Sequence, residues 1–142
     1  MKGPLILDAG PLYSLADRDD RLGPQIATIL EAETQLPIIP APVTAEVDCL
    51  LGARLGARAR RLFLADLAAG RFTVACLDAD DHRTALELDE RYSEIGLGLA
   101  DLSLVVIAQR HDTRRLLTFD QRHFRTLRPL QGGTFTLLPF DA

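Results

Sequence analysis

The sequence predicts one α/β domain over residues 1–142, a three-layer α/β/α arrangement with a mainly parallel central sheet flanked by helices. Three observations lead to this prediction. The length of 142 residues is that of one average domain. Short apolar runs alternate with longer segments of helical periodicity, a pattern typical of parallel sheets. The chain also has no internal repeat, low-complexity tract or long linker that would divide it.

The first elements are a strand and two helices. A continuous apolar run, ended by a polar residue and Gly10, predicts a strand over Pro4–Asp8. Proline is favoured in the first turn of a helix, so Pro11–Ala16 is predicted to be helical. Apolar residues at helical spacing from Ile26 predict a second helix that ends near Glu33.

A second strand and two further helices follow. The apolar run Leu36–Pro40 predicts a strand, which its two prolines keep short. Apolar residues at helical spacing then predict a helix over Pro42–Leu51. A further helix is predicted over Leu55–Ala69, where Gly70 ends it.

The second half of the chain continues the alternation of strands and helices. Phe72–Leu77 is predicted to be a strand, and Asp78 the N-cap of a helix that extends to about Glu94. Two glycines separate this helix from the next, which is predicted over Leu99–Arg110. The last two strands are predicted over Arg115–Phe119 and Thr134–Leu138.

Composition excludes several classes of protein. The apolar fraction of 47% and the charged fraction of 25% are ordinary for a globular domain. The longest apolar stretch, Leu102–Ala108, is too short to span a bilayer, and Asp8 interrupts the N-terminal apolar run, so neither a membrane anchor nor a signal peptide is expected. With only Cys49 and Cys76 in place of a cysteine framework, we expect a cytoplasmic protein.

Two aspartates follow predicted strands directly. Asp8 ends the first strand, and Asp120 comes immediately after the strand Arg115–Phe119. Ligands of open parallel sheets gather beyond the carboxyl ends of the strands, so both side chains are candidates for a site. The alternative is that each is an ordinary turn or helix-cap aspartate.

Two further carboxylates share the apolar faces of predicted helices. Glu46 has apolar neighbours at i−3 and i+4, and Asp101 has them at i+3, i+4 and i+7. An ionised carboxylate on a buried face is costly unless a partner or a metal compensates it. The alternatives are a buried ion pair with arginine for Glu46 and a helix-capping or first-turn role for Asp101.

Four carboxylates at one sheet edge favour Mg²⁺, with Mn²⁺ as a possible substitute, because hard oxygen ligands select these ions. His82, His111 and His123 fit no metal-binding spacing and are interpreted as solvated or packing histidines. Such a metal site suits phosphodiester hydrolysis by a metal-activated water. Receiver domains and haloacid-dehalogenase-like phosphatases are excluded, because the only lysine is Lys2 and Gly10 stands where the latter need a second aspartate.

Four segments of the sequence resemble the PIN-domain family, and more narrowly its VapC-type toxins. The segments agree with the family in order, in spacing and in overall length, and they are Leu5–Leu12, Thr44–Val47, Ala100–Ala108 and Leu117–Phe124. The resemblance implies an Mg²⁺-dependent ribonuclease, commonly a homodimer, that is inhibited by a small antitoxin protein encoded beside it. RNA is the implied substrate.

The resemblance also implies roles for individual residues. Asp8 and Asp101 are metal ligands, Glu46 completes the first metal site, and Asp120 serves a second metal or holds a metal-bound water. Thr118 matches a hydroxyl residue that orients this fourth acid. The sequence departs from many relatives at residues 9 and 10, where alanine and glycine replace hydroxyl or amide side chains.

Two groups of arginines are candidates for binding RNA phosphates. Those flanking the last two acidic motifs are Arg110, Arg114, Arg115, Arg122, Arg125 and Arg128. Arg54, Arg58 and Arg61 recur at helical spacing on one predicted face. The alternative for both groups is solvated charge or ion pairing. Asp48, outside the apolar stripe of its helix, is expected at the surface, and the apolar segment Leu62–Leu67 is either core or a dimer interface.

Two other functions remain open from the sequence. One is a catalytically silent PIN-like module that binds RNA or a protein. The other is a nuclease that processes RNA outside a toxin–antitoxin pair. The four acids favour an enzyme over the silent module, since a binding module has no need of a costly acidic cluster.

Overall fold

The computed structural model describes residues 2–141, which form five strands and seven helices. The strands are β1 (Ile6–Leu7), β2 (Ile38–Pro40), β3 (Thr73–Ala75), β4 (Arg115–Leu117) and β5 (Thr136–Leu138). The helices are α1 (Ala9–Ala16), α2 (Gly23–Glu31), α3 (Ala41–Arg54), α4 (Ala57–Ala68), α5 (Ala79–Arg91), α6 (Leu99–Arg110) and α7 (Gln121–Phe124).

The strands form one sheet in the order β3-β2-β1-β4-β5. Every pair of neighbours is parallel, so the sheet is wholly rather than mainly parallel. β1 lies at the centre, with Ile6 opposite Ile38 of β2 and Leu116 of β4. All five carboxyl ends therefore point to the same edge of the sheet.

Helices cover both faces of the sheet. Leu5, Ile6 and Leu7 are all fully buried, although consecutive residues of a strand point to opposite faces. Both faces of β1 must therefore be covered, as is general for parallel sheets. The core is continuous with α6, in which every residue from Leu102 to Ala108 is buried.

The sequence predictions identify every strand and all but one helix. The α/β fold with a central sheet flanked by helices is confirmed, and the bounds of α6 agree at both ends. The strands are shorter than predicted, because their outer residues form connections rather than sheet pairs. The four-residue helix α7 was not predicted, since one turn is too short to show a periodicity.

A helix boundary corrects one prediction about the arginines. Gly56 has a backbone φ of +95°, a value that favours glycine, and it separates the end of α3 from the start of α4. Arg54 consequently lies on α3, while Arg58 and Arg61 lie on α4. The three do not share one helical face, and Arg54 instead lies over the ring of Tyr13, 5.5 Å from its centroid.

Two caps fix where helices begin. Asp78 caps α5 as predicted, in a reciprocal capping box with Asp81. Asp8 caps α1, which begins at Ala9, two residues before the predicted start at Pro11. Within residues 2–141, no helix has the length and apolar character needed to cross a membrane.

Candidate active site

The carboxyl edge of the sheet has a topological switch point between β1 and β4. From β1 the chain builds β2 and β3 on one side, and then it places β4 and β5 on the other. Ligands of open α/β sheets bind in the crevice outside such a point. Asp8 directly follows β1, and Asp120 lies three residues after the end of β4. Both carboxylates therefore stand at this point.

Asp8 is held in a fixed orientation by two hydrogen bonds. Its Oδ1 accepts the backbone N–H of Ala9 at 2.8 Å, and its Oδ2 accepts the hydroxyl of Thr118 at 2.7 Å. Burial raises the pKa of Asp8 above its ordinary value, and the negative charges of Asp101 and Asp120 add to this effect. The two hydrogen bonds act in the opposite direction, because they favour the ionised form.

Asp101 lies in the first turn of α6, where Gly98 is the N-cap. Its side chain is only 26% exposed, so the apolar neighbours identified in the sequence do reflect a largely buried position. Burial is the main cause that raises the pKa of Asp101, and the charge of Asp120 raises it further. The first turn of a helix tolerates a carboxylate well, yet here this does not restore the ordinary pKa.

Glu46 was expected on the buried face of its helix, and this expectation is wrong. The buried residues of α3 are Val43, Val47 and Leu51, and Glu46 lies beside this stripe as an exposed residue. Its carboxylate is nevertheless close enough to the site to respond to it. Partial burial raises the pKa of Glu46, and so do the charges of Asp8 and Asp101.

Asp120 caps the short helix α7 and thereby positions a histidine. Oδ1 of Asp120 accepts the backbone N–H of His123 at 2.9 Å, and Oδ2 lies 2.7 Å from His123 Nδ1. Ligand atoms of Asp101, Asp120 and His123 all lie within 4.8 Å of one another, a spacing suited to a shared metal ion. The structure thus places His123 beside two of the predicted site acids, a position that the sequence did not predict.

The sequence has no periodicity that marks the position of His123, but it does contain one local signal. The histidine stands three residues after an aspartate at the end of a strand, which is the spacing between an N-cap and the third helical residue. His82 and His111 have other surroundings. His82 is exposed and contacts the backbone carbonyl of Asp78, while His111 caps the carboxyl end of α6.

None of the ion pairs described within residues 2–141 joins a lysine or arginine to Asp8, Glu46, Asp101 or Asp120. The alternative of a buried ion pair between Glu46 and an arginine thus finds no support. The four acids come from four parts of the chain, and the charges of neighbouring acids raise the pKa values of Asp8, Glu46 and Asp101. A divalent cation is the group whose charge would relieve this repulsion, and carboxylate oxygens are suitable ligands for it.

The glycine at residue 10 has a structural reason. A Cβ on Gly10 would lie 3.1 Å from Cδ2 of Phe119, which is tighter than an ordinary contact. The ring of Phe119 thus takes the space that a side chain at this position would need. This packing favours glycine at residue 10.

Four of the six arginines near the last two acidic motifs have partners within the chain. Arg115 makes a bidentate pair with Glu33 at 2.7 and 2.8 Å, and Arg125 makes one with Asp141 at 2.7 Å for both bonds. Arg110 pairs with Asp81. The structure therefore shows these three arginines in ion pairs, which is the alternative to RNA binding.

Arg114 also has partners, since its guanidinium donates to the backbone carbonyls of Gly132 and Gln131 at 2.6 and 3.1 Å. Arg122 and Arg128 differ. Both are exposed, and no ion pair described within residues 2–141 involves either of them. Arg122 lies in α7, two residues from Asp120, so it remains the best candidate for contacting a ligand at the site.

Two further features of the sequence lie away from the acidic site. Asp48 lies at the surface, as expected, where it pairs with Arg60 at 3.1 Å. The segment Leu62–Leu67 divides between core and surface, with Phe63 buried and Leu62 60% exposed. Leu62 borders an apolar groove of about 290 Å³ between α1 and α4.

The chain is similar to known proteins in sequence and in fold. The model of the PIN domain family matches residues 5–128. Ribonuclease VapC26 of Mycobacterium tuberculosis is 32% identical to this chain over 135 residues, which cover 95% of the chain and 100% of that protein.

Two solved structures share the fold. VapC20 of Mycobacterium tuberculosis, a sarcin–ricin-loop-cleaving toxin, superposes with a TM-score of 0.75 at 19% identity over 82% of this chain and 89% of that one. A toxin–antitoxin complex from Klebsiella pneumoniae gives a TM-score of 0.64 at 20% identity over 87% and 92% of the two chains.

Proposed function

The chain belongs to the PIN domain family, and from this premise we propose that it is a metal-dependent endoribonuclease, the toxin of a toxin–antitoxin pair. The proposed reaction is hydrolysis of RNA phosphodiester bonds with Mg²⁺, for which Mn²⁺ is a possible substitute. The 32% identity to a protein named as a ribonuclease, over nearly the whole chain, supports this assignment.

The single observation that carries the proposal is the convergence of four acids at the switch point. Burial raises the pKa values of Asp8, Glu46 and Asp101, and the charge of at least one other acid of the site raises each of them further. Uncompensated carboxylates in a partly buried position destabilise a protein, so a purely structural role does not account for them. A bound divalent cation would remove this cost.

Each of the four acids has a proposed role. Asp8 and Asp101 are direct metal ligands, Glu46 completes the first site, and Asp120 serves a second metal or holds its water. When bound, the metal lowers the pKa of an attacking water and neutralises charge that develops on the phosphate. The protein contributes orientation, because the bonds from Thr118 and Ala9 fix both oxygens of Asp8 before any ligand arrives.

RNA is proposed to approach along the surface of α7. Arg122 is exposed on α7, and Arg128 is exposed four residues beyond the end of that helix. Both provide planar guanidinium groups suited to phosphate oxygens. The whole chain has a net charge of −4, so binding must depend on such local positive charge.

A small antitoxin and a second copy of the chain are the proposed protein partners, in the cytoplasm. The fold shared with a chain of a toxin–antitoxin complex supports the first of these. The groove between α1 and α4 offers a surface for an apolar antitoxin segment, because Leu15 and Leu62 on its border are 38% and 60% exposed. Exposed Cys49 and Cys76 are free thiols, which a reducing compartment maintains.

The test is cleavage of RNA by the purified chain, free of antitoxin. A mixed RNA pool and a short sarcin–ricin loop RNA are each incubated with Mg²⁺, with Mn²⁺ and with EDTA. The matched pair of variants is Asp101→Asn, which removes one charge at the site, and Asp89→Asn, which removes one from the exposed face of α5. We expect metal-dependent cleavage that the first variant abolishes and the second retains.

Two outcomes would favour the other functions. RNA binding that is indifferent to metal, without cleavage of either substrate, would favour the silent binding module. Cleavage without growth arrest when the chain is expressed, and without a neighbouring gene whose product inhibits it, would favour an RNA-processing nuclease.

A further inference from the structure

His123 stands beside the acidic site with a ring nitrogen that has no hydrogen-bond partner within residues 2–141. Its Nδ1 is buried and makes no hydrogen bond with any group of residues 2–141, although the whole side chain is 23% exposed. Oδ2 of Asp120 lies 2.7 Å from Nδ1, but the pair does not form a hydrogen bond. Buried polar atoms are nearly always satisfied, so an unpartnered one in a cleft calls for an explanation.

The surroundings of this nitrogen are those of a metal ligand. Oδ2 of Asp101 lies 4.0 Å from Nδ1, and the carboxylate of Asp120 lies closer still. Ions with bonds of about 2.1 Å hold ligand atoms at comparable separations from one another. The backbone bond from His123 to Asp120 Oδ1 fixes this arrangement, because it ties the imidazole to the acid that caps its own helix.

We propose that His123 Nδ1 binds a divalent cation together with Asp101 and Asp120, so that this part of the site has mixed nitrogen and oxygen ligands. The inference rests on the proposed function, because it concerns the same acidic site, and it adds a ligand that the four carboxylates do not provide. The imidazole is then neutral, with its proton on Nε2, since a protonated Nδ1 cannot bind a metal.

A nitrogen ligand changes which ion the site prefers. Mg²⁺ favours an all-oxygen environment, whereas imidazole suits transition metals. The site should consequently bind Mn²⁺ and Co²⁺ more tightly than Mg²⁺, by a larger margin than four carboxylates alone would give. The sequence alone predicts only hard oxygen ligands, and this proposal adds one nitrogen ligand to them.

Pulsed electron paramagnetic resonance of bound Mn²⁺ tests the proposal directly. A strong coupling of the manganese electron spin to a nitrogen nucleus appears only if that nitrogen is a direct ligand, whereas more distant nitrogens couple weakly. We expect this coupling in the wild-type protein, its loss in His123→Ala and its retention in His82→Ala, a control histidine on the exposed face of α5. Calorimetry should show that His123→Ala weakens Mn²⁺ binding at least about tenfold, the loss that even an outer-shell partner can cause. Mg²⁺ binding should weaken much less.

The outcomes separate this inference from the proposed function. Wild-type protein that binds Mn²⁺ and cleaves RNA, but shows no nitrogen coupling, would overturn the role of His123 and leave the nuclease intact. Protein that is folded and binds neither ion would overturn both. The coupling is measured on the wild type, so the result stands even if His123→Ala fails to fold.

Discussion

Thr118 donates a hydrogen bond of 2.7 Å from Oγ1 to Oδ2 of Asp8, between the residues that directly follow the neighbouring strands β4 and β1. The same hydroxyl accepts the backbone N–H of Asp120 at 3.0 Å. Thr118 is fully buried, so neither bond competes with water. One hydroxyl therefore joins the acid that follows β1 to the segment that carries the acid following β4. Its direct effect is on the carboxylate of Asp8 and on the backbone, rather than on the carboxylate of Asp120.

Replacing Thr118 with valine should destabilise the protein and raise the pKa of Asp8 further. Valine has nearly the same shape but leaves the N–H of Asp120 unpaired and removes a donor that favours ionised Asp8. We expect a loss of about 1–3 kcal/mol in the free energy of unfolding, measured by urea denaturation. Carboxyl NMR titration should show the pKa shift.

Thr118→Ser is the matched control, because serine retains the hydroxyl and loses only a methyl group. It should keep the pKa of Asp8 close to that of the wild type. An unchanged pKa in the valine variant would show that burial and neighbouring charges alone set the ionisation of Asp8.

The fold was largely predictable because its signals are local. Apolar runs and helical spacing located the strands, and the stretch of buried residues in α6 allowed both ends of that helix to be identified. The parallel sheet followed from the alternation of strands and helices. Glu46 shows the limit of such patterns, because apolar neighbours at i−3 and i+4 also occur for a residue at the edge of a buried stripe.

The parts of the site that the sequence did not predict depend on contacts between distant segments. Arg115 and Glu33 are separated by 82 residues, so no local pattern could distinguish this structural arginine from a free one. His123 was missed for a different reason. Its position depends on a single-turn helix that Asp120 caps, and a single turn has no periodicity to detect.

Replacing Asp101 with asparagine should stabilise the metal-free protein at neutral pH. The folded-state pKa of Asp101 is raised, so between its ordinary value of 3.8 and the raised value the native state binds more protons than the unfolded state. Stability therefore falls as pH rises through this window, and the loss is complete above it. Asparagine carries no charge and escapes this loss. We expect Tm near pH 7 to rise by a few degrees, the shift that about 1 kcal/mol produces in a domain of this size.

The difference in stability between the wild type and Asp101→Asn should disappear at low pH and reverse when metal is bound. Below the ordinary pKa the aspartate is protonated in both states, so the two proteins should have similar stability. Saturating Mg²⁺ should raise the Tm of the wild type more than that of the variant, since only the wild type keeps the full ligand set. Asp89→Asn is the control for loss of an exposed charge. A variant less stable than the wild type at neutral pH without metal would contradict the proposed repulsion.

The arginines should separate into structural and RNA-binding groups. Arg115→Met leaves Glu33 as a largely buried carboxylate without its partner. The side chains of Arg115 and Glu33 are only 15% and 11% exposed. We expect a loss of about 2–4 kcal/mol in the free energy of unfolding, near the range for broken buried pairs, with RNA affinity retained. Arg115 begins β4, at the sheet edge opposite the acids.

Arg122→Ala combined with Arg128→Ala should have the opposite effect. Stability should change by no more than about 0.5 kcal/mol, because both side chains are exposed. RNA affinity, measured by fluorescence anisotropy in EDTA so that cleavage is prevented, should fall. The slope of log affinity against log salt should decrease by about 1 for each RNA phosphate that the variant no longer neutralises. Weakened RNA binding in Arg115→Met, at temperatures where that variant is folded, would instead place RNA at the amino edge of the sheet.

Replacing Leu62 with aspartate should separate the two proposed protein partners. Leu62 is 60% exposed on α4 at the border of the groove that also contains Phe63 and Phe72, so a charge there should not unfold the chain. A buried charge in an apolar interface is costly, and we expect affinity for the antitoxin to fall at least about 30-fold, which corresponds to about 2 kcal/mol. Leu86→Asp is the matched control, since Leu86 is 56% exposed on α5 and lies outside the groove.

Co-purification with the neighbouring gene product and light scattering of the chain alone provide the two readouts. Loss of antitoxin binding with an unchanged mass of the free chain would assign the groove to the antitoxin. Retained antitoxin binding with a halved mass would assign the groove to the homodimer instead, because the charge would then disrupt the packing between two copies of α4.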